Sequence, residues 1–164
     1  MTCSDGGFLQ IGETGFIPNS AKIIVVKTDS QGTLQWKKEF AEGNHNLGNS
    51  AIEIPSGFLI AGSLDEKSVI IKLDKNNGNT IFKRTYDNGG SNAIEHIAIS
   101  ENGMIAVGYI NAQDELNTFF TEGEGYMMIL DSSANKLSGM NIKDYMAHAY
   151  RTVSYTHLTL PTKA

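Results

Sequence analysis

One pattern recurs three times along this chain and restricts its possible folds more than any other feature. Gly7-Phe8-Leu9-Gln10-Ile11-Gly12, Gly57-Phe58-Leu59-Ile60-Ala61-Gly62 and Gly103-Met104-Ile105-Ala106-Val107-Gly108 share one layout, with first glycines 50 and 46 residues apart. Each is followed by an aliphatic run ending in an aspartate: residues 22–29, 68–74 and 126–131. A third element aligns Thr33-Leu34-Gln35-Trp36-Lys37-Lys38-Glu39-Phe40 with Asn79-Thr80-Ile81-Phe82-Lys83-Arg84-Thr85-Tyr86, so that aromatic falls on aromatic twice. A fourth, weaker element matches Ser50-Ala51-Ile52-Glu53 to Asn92-Ala93-Ile94-Glu95. Recurrence at this period is the mark of a repeat architecture.

Each element is short, rich in β-formers and bounded by turn residues, and so reads as a strand. Asp29-Ser30-Gln31-Gly32 and Asp74-Lys75-Asn76-Asn77-Gly78 are expected to be hairpin turns closed by glycine at positive φ. In the third copy, Asp131-Ser132-Ser133-Ala134-Asn135, asparagine is expected to take the glycine's part. Joints this short make neighbouring strands antiparallel. The second strands are apolar at consecutive positions (Ile23 to Val26, Val69 to Ile71, Met127 to Leu130). Successive side chains point to opposite faces, so these strands are expected to be covered on both. Ile24, Ile70 and Met128 are expected at equivalent places in successive copies. Stacked four-stranded blades meet these conditions; a two-layer sandwich is the competing arrangement and does not require a regular echo.

Asp5-Gly6-Gly7-Phe8-Leu9-Gln10-Ile11-Gly12, then Val26-Lys27-Thr28-Asp29 with Gly32 and Trp36, resembles the Asp-Gly-Gly-aromatic repeat of bacterial β-propellers. Lys72-Leu73-Asp74, Gly78 and Phe82 are similar to the strand–turn–strand unit of quinoprotein-like propellers. The third copy departs from it, with Leu137-Ser138-Gly139 where an aromatic strand is expected. At the far end, residues 153–164, beginning Val153-Ser154-Tyr155-Thr156-His157-Leu158, resemble the translation of a sequencing adapter and are set aside as a non-native tail.

The fold class expected is therefore all-β: an incomplete β-propeller of about three four-stranded antiparallel blades in an open arc over residues 1–152. The blades fall at about 1–40 (lacking its first strand), 47–86 and 91–142, and another begins at 147–152. End blades of such an arc bury one face instead of two, so the chain made alone is expected to self-associate or aggregate.

Composition closes off several functions. Lys+Arg 13 against Asp+Glu 18 gives a net charge of −5 with no basic segment, so nucleic acid is not expected as a partner. The aliphatic runs are far too short for a transmembrane helix. Cys3 is the single cysteine, which excludes an internal disulfide. No catalytic residue, metal ligand or cofactor site stands out. Glu95 and His96 are adjacent on a strand and face opposite ways. His45, in Gly43-Asn44-His45-Asn46, reads as a solvated loop residue. Asp74 to Thr85 has threonine where a calcium loop needs glutamate. Resemblance to quinone enzymes implies adjacent cysteines that this chain lacks.

The region with the strongest functional suggestion lies before Tyr126. It carries Asp114, Glu115, Glu122 and Glu124 with Phe119 and Phe120 and no basic residue. It is expected to form a loop on one rim, a common place for binding surfaces, where its acidity would draw a cation or a basic partner. Two functions follow. One is a non-enzymatic scaffold that binds a protein or carbohydrate, secreted or in the cell envelope as the resemblance implies. The other is part of a propeller enzyme (hydrolase, lyase or quinone-dependent oxidoreductase) whose catalytic residues lie in other blades.

Overall fold

The computed structural model describes residues 1–15, 20–43, 45–113 and 122–142. They form three antiparallel sheets, with no helix among the described residues. Sheet I contains β1 (Phe8–Thr14), β2 (Lys22–Thr28) and β3 (Leu34–Phe40). Sheet II contains β4 (Asn46–Ile54), β5 (Gly57–Leu64), β6 (Lys67–Leu73) and β7 (Thr80–Tyr86). Sheet III contains β8 (Ser91–Ser100), β9 (Gly103–Gln113), β10 (Glu122–Leu130) and β11 (Lys136–Ile142). Strands pair in chain order within each sheet. The third copy thus keeps its last strand although Leu137-Ser138-Gly139 replaces the aromatic pattern. No helix among the described residues is long and apolar enough to cross a membrane.

The repeat is written into the backbone register. Gly12 opposes Ile24, Gly62 opposes Val69 and Gly108 opposes Tyr126. A register shift recurs at one place in every last hairpin, between Lys27 and Thr28, between Lys72 and Leu73, and between Ile129 and Leu130. Such bulges bend a strand and increase its twist, and here they stand at equivalent positions in all three sheets. In each following turn one aspartate organises the backbone. Asp29, Asp74 and Asp131 donate their N–H to the carbonyls of Thr33, Asn79 and Asn135 at 2.9 Å. Their carboxylates accept from backbone N–H groups two residues on, at Gln31, Asn76 and Ser133.

The register corrects four sequence expectations. In the third turn Ala134, not Asn135, takes the glycine position, with φ 61° beside 85° at Gly32 and 67° at Gly78. A left-handed alanine costs about 1–2 kcal/mol; here its methyl is fully buried and its carbonyl accepts from Tyr86 Oη at 2.6 Å. The fourth element is displaced by four residues: Gly48 opposes Gly62 and Ile94 opposes Gly108, so Asn46 matches Asn92 and Ser50 matches His96. Ile24 and Met128 are each one residue from equivalence with Ile70, whose true counterparts are Val25 and Met127. Alternation then puts Ile24 and Met128 on the opposite face from Ile70. Finally, His45 is buried, its ring packed at the start of β4 rather than solvated.

Sheet II is the middle layer. Leu9, Ile23, Val25 and Trp36 of sheet I pack against Phe58, Ile60, Val69, Ile71 and Leu73. On the opposite face Leu59, Ala61, Ile70 and Tyr86 pack against Ile94, Ile97, Met104, Ala106, Met128 and Leu130 of sheet III. β5 is buried along its whole length because both of its faces are covered. Two aromatics latch each sheet to the turn of the next: Trp36 Nε1 donates to the Lys75 carbonyl at 3.0 Å, and Tyr86 does the same to Ala134.

Candidate functional site

The connections of the sheets divide into two rims. One carries the tight turns that follow β2, β4, β6, β8 and β10; the other carries the connections after β1, β3, β5, β7 and β9. Of the acidic residues read from the sequence, Glu122 and Glu124 stand at the start of β10, at the second rim. Asp114, Glu115, Phe119 and Phe120 lie outside the described residues. Glu122 opens β10 opposite Gln113. Glu124 is half-buried and accepts from Asn141 Nδ2 of the neighbouring strand, so its carboxylate serves a cross-strand bond within sheet III. Glu95 and His96 make separate contacts: Asn49 Nδ2 donates to Glu95 at 3.2 Å, and His96 Nδ1 lies 3.4 Å from Ser50 Oγ. Among the described residues no group of three or more His, Cys, Asp or Glu side chains is placed to hold a metal ion.

The geometry worth examining is on the first rim, between sheets I and II. A cleft of about 400 Å³ is lined by Ser4, Asp5, Lys27, Gln35, Glu53 and Lys75, with Phe58 against it. Lys27 is 1% exposed although charged. Its Nζ is held by Asp5 Oδ2 at 2.7 Å, the Thr28 carbonyl at 2.8 Å and Gln35 Oε1 at 3.0 Å. Burial of an ammonium is tolerable only with this degree of satisfaction. The repeat explains the position: Lys27 and Lys72 both stand two residues before the turn aspartate. Lys72, on sheet II, reaches Ser56 instead, because Pro55-Ser56 replaces the Asp5-Gly6 pair.

A second pair faces it from sheet II. Glu53 Oε1 lies 2.6 Å from Lys75 Nζ and accepts from Ser4 Oγ at 2.5 Å, while Oε2 accepts from Ser4 N–H at 2.7 Å. Burial alone would raise the Glu53 carboxyl, but bonds from Lys75 and Ser4 outweigh it and hold the group below the usual glutamate range. Asp5 is likewise held low by its bond from Lys27 and by the Gly7 N–H. Beneath the cleft the Trp36 and Phe58 rings meet at 6.1 Å, inclined at 53°. The two carboxylates and two ammonium groups cancel, which leaves a neutral, strongly hydrogen-bonding concavity.

In the sequence Asp5, Lys27, Glu53 and Lys75 stand only as parts of repeat elements and turns, with nothing that joins them. The available signal was the lysine itself. A charged residue in the run Ile23-Ile24-Val25-Val26-Lys27, in phase with the buried Ile23 and Val25, needs a buried partner. Comparison with protein-family models and with curated proteins returns no match.

Proposed function

We propose that the three sheets are consecutive blades of a β-propeller of the Asp-Gly-Gly-aromatic kind, and that the chain is a non-catalytic binding scaffold whose ligand is a carbohydrate held in the cleft between the first two blades. The propeller reading is supported by the reuse of one packing relation. Leu9 and Val25 of sheet I cover sheet II, and their counterparts Leu59 and Ile70 cover sheet III. Repeating one stacking step generates an arc, as blades do around an axis. Among the described residues the outward faces of sheets I and III are less covered than those of sheet II. Phe8 is 40% exposed whereas its counterparts Phe58 and Met104 are 1% exposed, and at the opposite end Ile129 is 42% exposed.

The binding reading rests on one observation: the charged groups of the cleft are tied to one another. A general acid or base works best with a pKa near the working pH. Asp5 and Glu53 are held the other way, as permanent acceptors, beside ammonium donors whose positions are fixed. Fixed donors and acceptors of zero net charge suit a neutral polyhydroxyl ligand. Titration calorimetry of the chain against neutral oligosaccharides tests this. Binding that is lost in Glu53→Gln and Lys75→Met, with Trp36 emission unchanged, is the expected result. A folded chain that gives no heat with any neutral glycan, or binding indifferent to both substitutions, would refute it.

A further inference from the structure

The last strand of each sheet is an edge. Among the described residues β3, β7 and β11 each have one neighbouring strand, β2, β6 and β10. An edge presents a row of unpaired N–H and C=O groups, and charged side chains, lysine above all, keep other strands away from it. The three edges are related position by position through the repeat. Val26, Ile71 and Met128 are equivalent residues, and they oppose Lys37, Lys83 and Gly139. One residue earlier, Val25, Ile70 and Met127 oppose Lys38, Arg84 and Met140. Sheets I and II therefore carry two adjacent cations at the middle of the edge, where sheet III has Gly139-Met140.

The exchange leaves β11 without a charge from Leu137 to Asn141. Every residue from Lys136 to Asn141 is exposed, Leu137 at 64% and Met140 at 52%. On its inner side the strand is held by pairing with β10 from Gly125 to Leu130, and Asn141 Nδ2 donates to Glu124. Tyr126 accounts for the glycine. A Cβ on Gly139 would lie 2.1 Å from Tyr126 Oη, so a lysine there would displace the ring.

We infer that β11 pairs antiparallel with β11 of a second copy of this chain, joining the two copies of sheet III into one eight-stranded sheet. A two-fold axis through the middle of the strand sets Gly139 opposite its own copy, Ser138 opposite Met140, Leu137 opposite Asn141 and Lys136 opposite Ile142. No like charges oppose one another. The two Met140 side chains fall on the diagonal, about 7–8 Å apart, where long side chains still touch. The same operation on β3 or β7 sets Lys37 or Lys83 opposite itself, and like charges directly opposite are destabilising. The exposed pairs of Lys37 with Glu39 and Lys83 with Glu42 are weak and leave both ammonium groups on the edge. The edge complements itself in sheet III and repels itself in sheets I and II, which is why the occupant is a second copy. Neither sheet I nor sheet II takes part, so the pairing stands or falls independently of the cleft and its ligand.

Light scattering on the full chain as it elutes from a sizing column, with hydrogen exchange followed peptide by peptide, tests this. The wild type is expected at twice 17.8 kDa, with the amides of residues 136–142 protected at high protein concentration and released on dilution. Met140→Lys restores the cation of β3 and β7 on a side chain that is already exposed. It keeps native β-sheet circular dichroism and Trp36 emission but runs as a monomer, because the two ammonium groups meet on the diagonal. Met140→Glu is monomeric for the same reason, and an equal mixture of the two variants recovers the dimer. A monomeric wild type overturns the inference, as does a dimer that survives both substitutions or a mixture that stays monomeric. Protection of residues 136–142 that is indifferent to dilution overturns it too, since another segment of the same chain would then cover the edge.

Discussion

Replacing Asn46 tests how successive sheets are stitched together. Its side chain is fully buried at the start of β4 and makes three bonds to three different segments. Nδ2 donates to the Ala21 carbonyl at 2.8 Å, and Oδ1 accepts from Glu42 N–H at 3.1 Å and Asp65 N–H at 3.2 Å. In Asn46→Ala the buried Ala21 carbonyl is stranded, at about 1–3 kcal/mol. Glu42 and Asp65 are exposed and their N–H groups turn to water, so each of those bonds contributes only about 0.5–1.5 kcal/mol. The total loss is about 3 kcal/mol. With a urea slope of about 1–3 kcal/mol/M, the midpoint falls by between about 1 and 3 M. Trp36 is the single tryptophan and lies in the interface of sheets I and II, so its emission follows the transition. Asn46→Asp is sharper still, because it aims an acceptor at the Ala21 carbonyl. Its carboxyl is pushed above the ordinary aspartate range in the folded state, so at pH 7 it costs more than alanine does. That extra cost shrinks as pH falls through the raised pKa, since the folded state binds the proton more tightly. An unchanged midpoint in Asn46→Ala, or an aspartate variant no worse than alanine at pH 7, would refute the reasoning.

Three further outcomes follow from the same geometry. Lys27→Met keeps the buried stem and loses the Asp5, Thr28 and Gln35 bonds, whereas Lys27→Ala also opens a cavity, so urea unfolding should find the alanine variant weaker by about 1–2 kcal/mol. Asp5, Asp29, Glu39, Glu53 and Asp131 all have depressed pKa values when folded, and their contribution is present above the unfolded values near 3.8 and 4.5. It is lost as pH falls through the folded ones, so melting temperature should drop steadily below pH 4.5; a flat profile to pH 3 contradicts this. Burial pushes the Tyr86 phenol well above the usual tyrosine range, so its stabilisation is present below about pH 10 and lost as pH rises beyond it. Tyr86→Phe should cost about 1 kcal/mol at pH 7 and blunt the alkaline loss measured between pH 9.5 and 11.5.

What could be read without coordinates was whatever depends on near neighbours in the chain. Alternation, β-branched runs and Asp-x-x-Gly punctuation specify strands and hairpins because a turn's hydrogen bonds close within four or five residues. That is why the eleven strands and three antiparallel sheets of the described residues were legible from the repeat. The cover expected on both faces of every second strand holds for β6 and not for β2 or β10, where Ile24 is half-buried and Ile129 is exposed. Register along those strands was not legible, because one residue of slip reverses every side chain and only pairing decides it. Ile24 and Met128 were each misplaced by that single step, and the Asn46–Asn92 equivalence was hidden by a local likeness four residues away. The burial of Lys27, the left-handed Ala134 and the cleft between Asp5 and Glu53 were decided by tertiary structure. Each depends on a group from a distant part of the chain, or from the sheet stacked alongside, and no window of sequence contains both partners.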